Sequence, residues 1–284
     1  MPISSSPKVS KIDFVYAYGA KRIPYSVWYT STLETVKTVI FLGTVQVGKL
    51  AEWVVADSPP GTVVIEGAPH WHAKDDGSDM HQYMYDFTED AFVNVVKTFS
   101  LNRSEQVNVI ADSQASPAII RLFLTKRYKP YRRALVLLQP LGLNRSAYPG
   151  ESTERLENFK NRIAANARHQ LLPIFTDSRL RHNHRTLLKT VGIRNAKAEG
   201  QYSSGLACDS TNDLRHLYAT NKDIIIICGE QDKLFPPNEI RDTLRKHDIG
   251  IDIQLVPRVP HSPLATKYGQ RLLTKAFSYL AVKA

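Results

Sequence analysis

Eight short runs rich in β-branched and aromatic residues punctuate the chain: KIDFVYAY, IPYSVWYTS, TVIFLG, TVVIEG, VNVI, ALVLLQ, DIIIIC and IDIQLV. From TVIFLG onward the runs are near-continuously apolar, as strands covered on both faces must be. The first two interleave polar and apolar positions and read as an edge hairpin. Segments of helical character separate the runs, so the pattern predicts an α/β fold in which a mostly parallel eight-stranded sheet is flanked by helices. The rhythm breaks once. Between Gln139, which ends ALVLLQ, and Asp223, which begins DIIIIC, lie stretches such as STERLENFKNRIAANARHQLL and DSRLRHNHRTLLKTV, helical in character and without an obvious strand. That interval is too long for a single crossover, so residues 142–211 are expected to form an inserted helical subdomain, with residues 1–141 and 212–284 as the core.

Length and composition narrow the class without changing this picture. The chain has 284 residues, of which 43% are hydrophobic and 23% charged, ordinary usage for one large globular core and unlike a disordered or low-complexity protein. No stretch approaches the roughly 18 uncharged apolar residues of a membrane span, and the opening MPISSSPKVSKIDF lacks a secretory apolar segment. The two cysteines, Cys208 and Cys228, can form at most one bridge, and Cys228 sits within an apolar run. A reduced, cytoplasmic setting is the expectation. Charge is more informative. The formal net charge is +10, but residues 121–211 carry 17 Lys and Arg against 6 Asp and Glu, leaving the remainder at −1.

The chemistry lies where strands end. Directly after VNVI comes Ala111-Asp112-Ser113-Gln114-Ala115, followed by the helical SPAIIRLFL. A serine on a sharp strand-to-helix turn is exposed above the sheet, and the residues two before and two after it must be small because strand and helix approach closely there. Both are alanine. The turn also aims Ser113 at a helix N-terminus, whose N–H groups and positive dipole end suit an oxyanion. The competing reading is that Ser116-Pro117 only starts a helix, with Pro at the first helical position. Further along, DIIIIC is followed by Gly229-Glu230-Gln231-Asp232-Lys233-Leu234-Phe235-Pro236-Pro237, and IDIQLV by Pro257-Arg258-Val259-Pro260-His261-Ser262-Pro263-Leu264. In parallel strands these ends share one edge, so a serine, an acid (Asp232, or Glu230 in its place) and a histidine meet there in the order a nucleophile, an orienting acid and a general base require.

On these residues the sequence resembles the α/β-hydrolase fold family, from about Lys37 to the end apart from the insertion. GEQDKLFPP looks like the family's acid-bearing G-x-x-D-x-x-x-P segment, and VPHSPL is similar to its histidine segment. The resemblance implies Ser113 as nucleophile, Asp232 as acid and His261 as base, with residues 142–211 as a helical cap over the site. Phe41-Leu42-Gly43-Thr44 resembles the family's oxyanion turn with Leu42 in place of the usual histidine. The implied donors are the backbone amides of Thr44 and Gln114, with Val45 as the alternative to Thr44. The absent motif glycines, Leu42 and Pro260 mark a divergent member. The implied activity is hydrolysis of a carboxylic ester or thioester through an acyl-enzyme, without cofactor or metal. Triad-dependent acyl transfer, carbon-carbon bond hydrolysis and a non-catalytic binding role on the same fold are the alternatives.

Other residues have plainer readings. Asp112 precedes the turn's apex by one residue and reads as a helix N-terminal charge. His70, His72 and His81 stand near Asp75, Asp76 and Asp79, but their spacing matches no metal motif. Trp71, Tyr83 and Tyr85 serve equally as loop packing or substrate contacts. His182 and His184, between Arg181 and Arg185, read as a solvated helix face. The basic residues Arg121, Lys126, Arg127, Lys129, Arg132 and Arg133 fall late in the helix after Ser113 and beyond it, about 20 Å below the serine at 1.5 Å per residue, whereas the insertion's net +5 lies above it. Two patches facing different ways do not make one nucleic-acid groove. The expected partner is a small acyl substrate, with an anionic thioester suited to the basic insertion.

Overall fold

The computed structural model describes residues 8–31, 33, 35–43, 48–67, 80–102, 106–143, 153–162, 165 and 208–283. Eight strands form one sheet: β1 (Val9–Tyr18), β2 (Lys21–Thr30), β3 (Thr38–Phe41), β4 (Thr62–Ile65), β5 (Val107–Asp112), β6 (Arg132–Leu138), β7 (Ile224–Gly229) and β8 (Asp252–Val256). Their spatial order is β1-β2-β4-β3-β5-β6-β7-β8. β1 and β2 form an antiparallel hairpin, β2 is antiparallel to β4, and every pairing from β4 through β8 is parallel. All eight apolar runs are therefore strands, and the more polar pair lies at an edge.

Burial explains the composition of the runs. β3, β4 and β7 are buried at every position, as strands between two helical layers must be. β8 departs from this expectation. It occupies the far edge of the sheet, so Asp252 and Leu255 are exposed and only Val256 is fully buried. Helices among the described residues include α1 (Lys49–Ala56), α2 (Met80–Thr98), α3 (Ala115–Leu124), α4 (Thr211–Thr220), α5 (Pro237–Lys246) and α6 (Lys267–Lys283). One core layer joins the sheet to α2, α3, α4 and α5 around Phe87, Phe92, Ile119, Phe123, Leu217 and Ile240; the other joins it to α1 and α6 around Val54, Leu272 and Ala276. None of the helices among the described residues is long and apolar enough to cross a membrane.

Most of the predicted insertion, 142–211, lies outside the described residues. Its described part includes a helical stretch at 153–162. There Phe159 is buried in the core, and Arg162 makes a forked ion pair with Glu239 of α5, at 3.0 and 3.3 Å.

The basic segment 121–133 is not a continuous stripe. The Arg121 guanidinium stacks 4.5 Å from the Tyr85 ring centre, Arg127 pairs with Glu89 at 4.0 Å, and Arg133 donates to the Lys283 carbonyl. Arg132, read from the sequence as part of the patch, is buried against Phe123. Burial disfavours its charged form and lowers its pKa to about 10. Arg121, Arg127 and Arg133 are thus each engaged by a different neighbour and Arg132 is withdrawn into the core, so these four do not line up as one surface for a phosphate backbone.

Candidate active site

The C-terminal ends of β5, β7 and β8 converge as parallel topology requires. Ser113 follows β5 with φ 51°, a left-handed conformation rare outside glycine and asparagine. It is over-determined from both sides: the Ser113 N–H donates to the Leu138 carbonyl at 2.8 Å, and the Ser113 carbonyl accepts from Ser116 and Leu141 at 3.1 and 3.2 Å. The flanking Ala111 and Ala115 are buried, as the close approach of β5 and α3 demands. Gln114 follows at φ −68° and ψ −17°, and α3 begins at Ala115. Pro117 is therefore the third helical residue, not the first. Its missing N–H still falls in the first turn, where no intrahelical acceptor exists.

Asp232 and His261 lie on the loops after β7 and β8. His261 Nε2 stands 3.4 Å from Ser113 Oγ, and His261 Nδ1 stands 2.8 Å from Asp232 Oδ2. The other Asp232 oxygen accepts the backbone N–H groups of Leu234 and Phe235 at 2.9 and 2.8 Å, which fixes the carboxylate's direction. Phe235 packs edge-on against the imidazole, 5.0 Å between ring centres. The serine, acid and histidine singled out in the sequence are thus one connected group. Glu230 is not part of it: this exposed side chain accepts the Arg258 N–H at 3.0 Å and braces the bend before the histidine.

Electrostatics favour a basic imidazole. Burial alone would lower the His261 pKa, but the Asp232 charge, its hydrogen bond and the more remote Asp112 charge outweigh burial and raise it above the usual 6.5. The thiols are poor rivals for the nucleophile's role. Burial pushes Cys208 up to about 11 and Cys228 well above its ordinary value, so neither supplies thiolate near neutral pH.

Two glycines permit this convergence. A Cβ at Gly229 would lie 2.2 Å from the Val259 carbonyl oxygen, so a side chain there would push away the loop that carries His261. A Cβ at Gly43 would lie 3.3 Å from Asp112 Oδ2 and 3.5 Å from Ser113 Cβ. Gly43 therefore lies directly against the serine, but Thr44 and Val45 lie outside the described residues.

Sequence reasoning did not foresee the partner of Asp112 and overlooked two other residues. Asp112, read as a helix N-terminal charge, is the last residue of β5; it is 2% exposed, and its Oδ2 accepts the Gly43 N–H at 3.4 Å. Glu66, just after β4, accepts N–H groups from Ser26, the Trp28 ring and Gly48 at 3.1, 2.8 and 2.7 Å, and so anchors Gly48 at the start of α1. Gln139, at the end of β6, hydrogen-bonds both backbone groups of Ser262. An acid directly after an apolar strand is the only signal Glu66 offers in the sequence.

Tyr83 is fully buried in an aromatic cluster with Tyr16, Tyr18 and Phe87, which makes it a packing residue. Tyr85 is half-buried beneath Arg121. His70, Trp71, His72, Asp75, Asp76, Asp79, Arg181, His182, His184 and Arg185 lie outside the described residues, as does the His81 side chain. Among the described residues, no group of three or more His, Cys, Asp or Glu side chains is gathered to hold a metal.

Comparison with known proteins adds the fold's identity. No family model and no curated protein sequence matches the chain. Among solved structures it is similar to the 2-hydroxy-6-oxo-6-phenylhexa-2,4-dienoate hydrolase of Rhodococcus sp. strain RHA1, at 11% identity and a TM-score of 0.60 over 97% of this chain and 99% of that one. An α/β-hydrolase enzyme from a Medee basin deep-sea metagenome matches at 13% identity and a TM-score of 0.59, over 94% and 97% of the two chains. Fungal esterases from Rhizomucor miehei match at 15% identity and a TM-score of 0.52, over 98% and 85%. The chain has the α/β-hydrolase fold.

Proposed function

We propose that this protein is a serine hydrolase that cleaves a carboxylic ester or thioester through an acyl-enzyme on Ser113. The observation that carries the reading is the relay from Ser113 Oγ to His261 Nε2, 3.4 Å, and from His261 Nδ1 to Asp232 Oδ2, 2.8 Å, with the serine on a left-handed turn at a strand end. The names of its structural neighbours, esterases and hydrolases, agree with it.

In this mechanism Asp232 holds the Nδ1–H tautomer, which leaves the Nε2 lone pair facing Ser113. As Oγ attacks the acyl carbonyl, its proton passes to Nε2, and the resulting imidazolium is stabilised by Asp232. The backbone amides of Thr44 and Gln114 receive the oxyanion. The imidazolium then protonates the departing alkoxide or thiolate. Water, activated by the same nitrogen, attacks the acyl-enzyme and releases the acid and free Ser113.

Labelling with a fluorophosphonate followed by intact-mass analysis and peptide mapping tests the reading. One adduct on Ser113 is expected. Since only neutral His261 accepts the serine proton, the labelling rate should fall as pH drops through a pKa above 6.5, the direction set by Asp232. An adduct mapped elsewhere, or a rate independent of pH between about 5 and 9, would overturn the assignment.

The substrate class follows from charge. Residues 142–211 carry 11 Lys and Arg against 6 Asp and Glu, and a cap on this fold stands where substrate enters. A positive entrance attracts a phosphate-bearing thioester and does nothing for a neutral ester. Salt screens such a field within a Debye length of about 10 Å at 0.1 M. The kcat/KM for an acyl-coenzyme A should therefore fall steeply with ionic strength while that for a neutral nitrophenyl ester stays nearly flat. Equal salt dependence of the two would remove the preference for anionic donors.

A further inference from the structure

Gln139 is fully buried at the C-terminal end of β6, with φ 46°. A non-glycine side chain persists in the left-handed region only where its surroundings over-determine it, and such positions cluster at functional sites. Here the surroundings are specific. The Gln139 N–H donates to the Ile227 carbonyl of β7 at 2.9 Å. Its side-chain amide faces the peptide groups of Ser262: the Ser262 N–H donates to Oε1 at 3.0 Å, and Nε2 donates to the Ser262 carbonyl at 3.1 Å. A side chain thus makes the two reciprocal bonds that a neighbouring strand would make, with the residue that follows His261.

The same short segment also grips Ser113. Leu138 accepts the Ser113 N–H, and Leu141 donates to the Ser113 carbonyl. Residues 138–141 therefore hold the serine's backbone on one side and, through Gln139, the histidine's backbone on the other. Asp232 fixes the imidazole at Nδ1, whereas Gln139 fixes the chain that bears it. We infer that Gln139 is a positioning residue that sets the distance between His261 Nε2 and Ser113 Oγ; the inference rests on the serine hydrolase reading.

The chemistry of the pair explains why glutamine occupies this place. The Ser262 backbone offers one donor and one acceptor, so its partner must be neutral and carry both. Methionine matches the length of glutamine but provides neither. A protonated carboxylic acid provides both, with its O–H directed at the Ser262 carbonyl. Its carboxylate would instead set a buried negative charge against that oxygen. The Gln139→Glu variant should therefore behave as wild type while protonated and lose its grip on Ser262 when it ionises. A role in core packing alone predicts a fall in melting temperature with that ionisation and no change in the labelling rate of the enzyme that remains folded.

The test compares wild type, Gln139→Met and Gln139→Glu by fluorophosphonate labelling rate and by kcat and KM on a nitrophenyl ester. It runs from pH 5 to 10, with the melting temperature recorded at each pH. Because a carboxylate at residue 139 would itself raise the His261 pKa, each variant's profile is fitted for its own His261 limb and the variants are compared as ratios to wild type after that limb is divided out. Gln139→Met should lower the labelling rate and kcat about 10- to 100-fold at every pH with KM within about twofold, the cost of a misplaced base. Gln139→Glu should give a ratio near one at acid pH and a new alkaline decline, whether or not Gln139→Met folds. A Gln139→Glu ratio that stays constant across the range overturns the inference, as does a folded Gln139→Met variant that labels at the wild-type rate. A wild type that resists the probe at Ser113 overturns the hydrolase reading and this inference together.

Discussion

Replacing Ser113 or His261 with alanine should lower esterase turnover by about four to six orders of magnitude, the loss met when a member of such a relay is removed. Neither change should unfold the protein. Ser113 is held by its backbone bonds to Leu138, Ser116 and Leu141, which alanine retains. In His261→Ala, Asp232 keeps the two N–H donors of Leu234 and Phe235 and is not left without compensation. The two losses should not add, because each substitution already disables the same proton transfer. Steady-state kinetics of the single and double variants, read beside their melting curves, provide the check. A Ser113→Ala variant that retains more than about a hundredth of wild-type turnover would exclude it as the nucleophile.

Asp232→Asn should lower kcat by about four orders of magnitude through a change of tautomer. The Leu234 and Phe235 amides bind one side-chain oxygen, which in the asparagine must remain the acceptor. The NH2 group then faces His261 Nδ1 at the position of Oδ2. Nδ1 becomes an acceptor, the proton moves to Nε2, and no lone pair remains to receive the Ser113 proton. Glu230→Gln should change kcat by less than about threefold, because its amide oxygen can still accept the Arg258 N–H. Parallel kinetics of the two variants distinguish the acids. If Glu230→Gln proves the more damaging, the wrong carboxylate has been assigned.

The sequence by itself determined the strands and the order in which the serine, the acid and the histidine follow them. Continuous apolar runs identify parallel strands because both faces are covered, and the interleaved pattern of β1 and β2 marks the hairpin at the edge. Ser113, Asp232 and His261 were legible because each follows such a run, and parallel strands bring their ends to one edge whatever their lateral order. The lateral order was not legible: β4 lies between β2 and β3, and nothing in a local pattern reports which strands are neighbours. For the same reason β8 passed for a covered strand although it forms the far edge.

Tertiary structure alone decided which acid meets the imidazole. Glu230 and Asp232 are two residues apart on one turn, and the turn's hydrogen bonds direct one to Arg258 and the other to His261. It also decided the supporting groups. Asp112 reads as a helix N-terminal charge from its place in the chain, yet its neighbour across the fold is the Gly43 amide, 69 positions away. Gln139 and Ser262 are separated by 123 positions. Hydrogen-bond partners set by chain crossovers leave no periodicity in the sequence, whereas burial of a strand's face does, and that difference divides what could be read from what had to be folded.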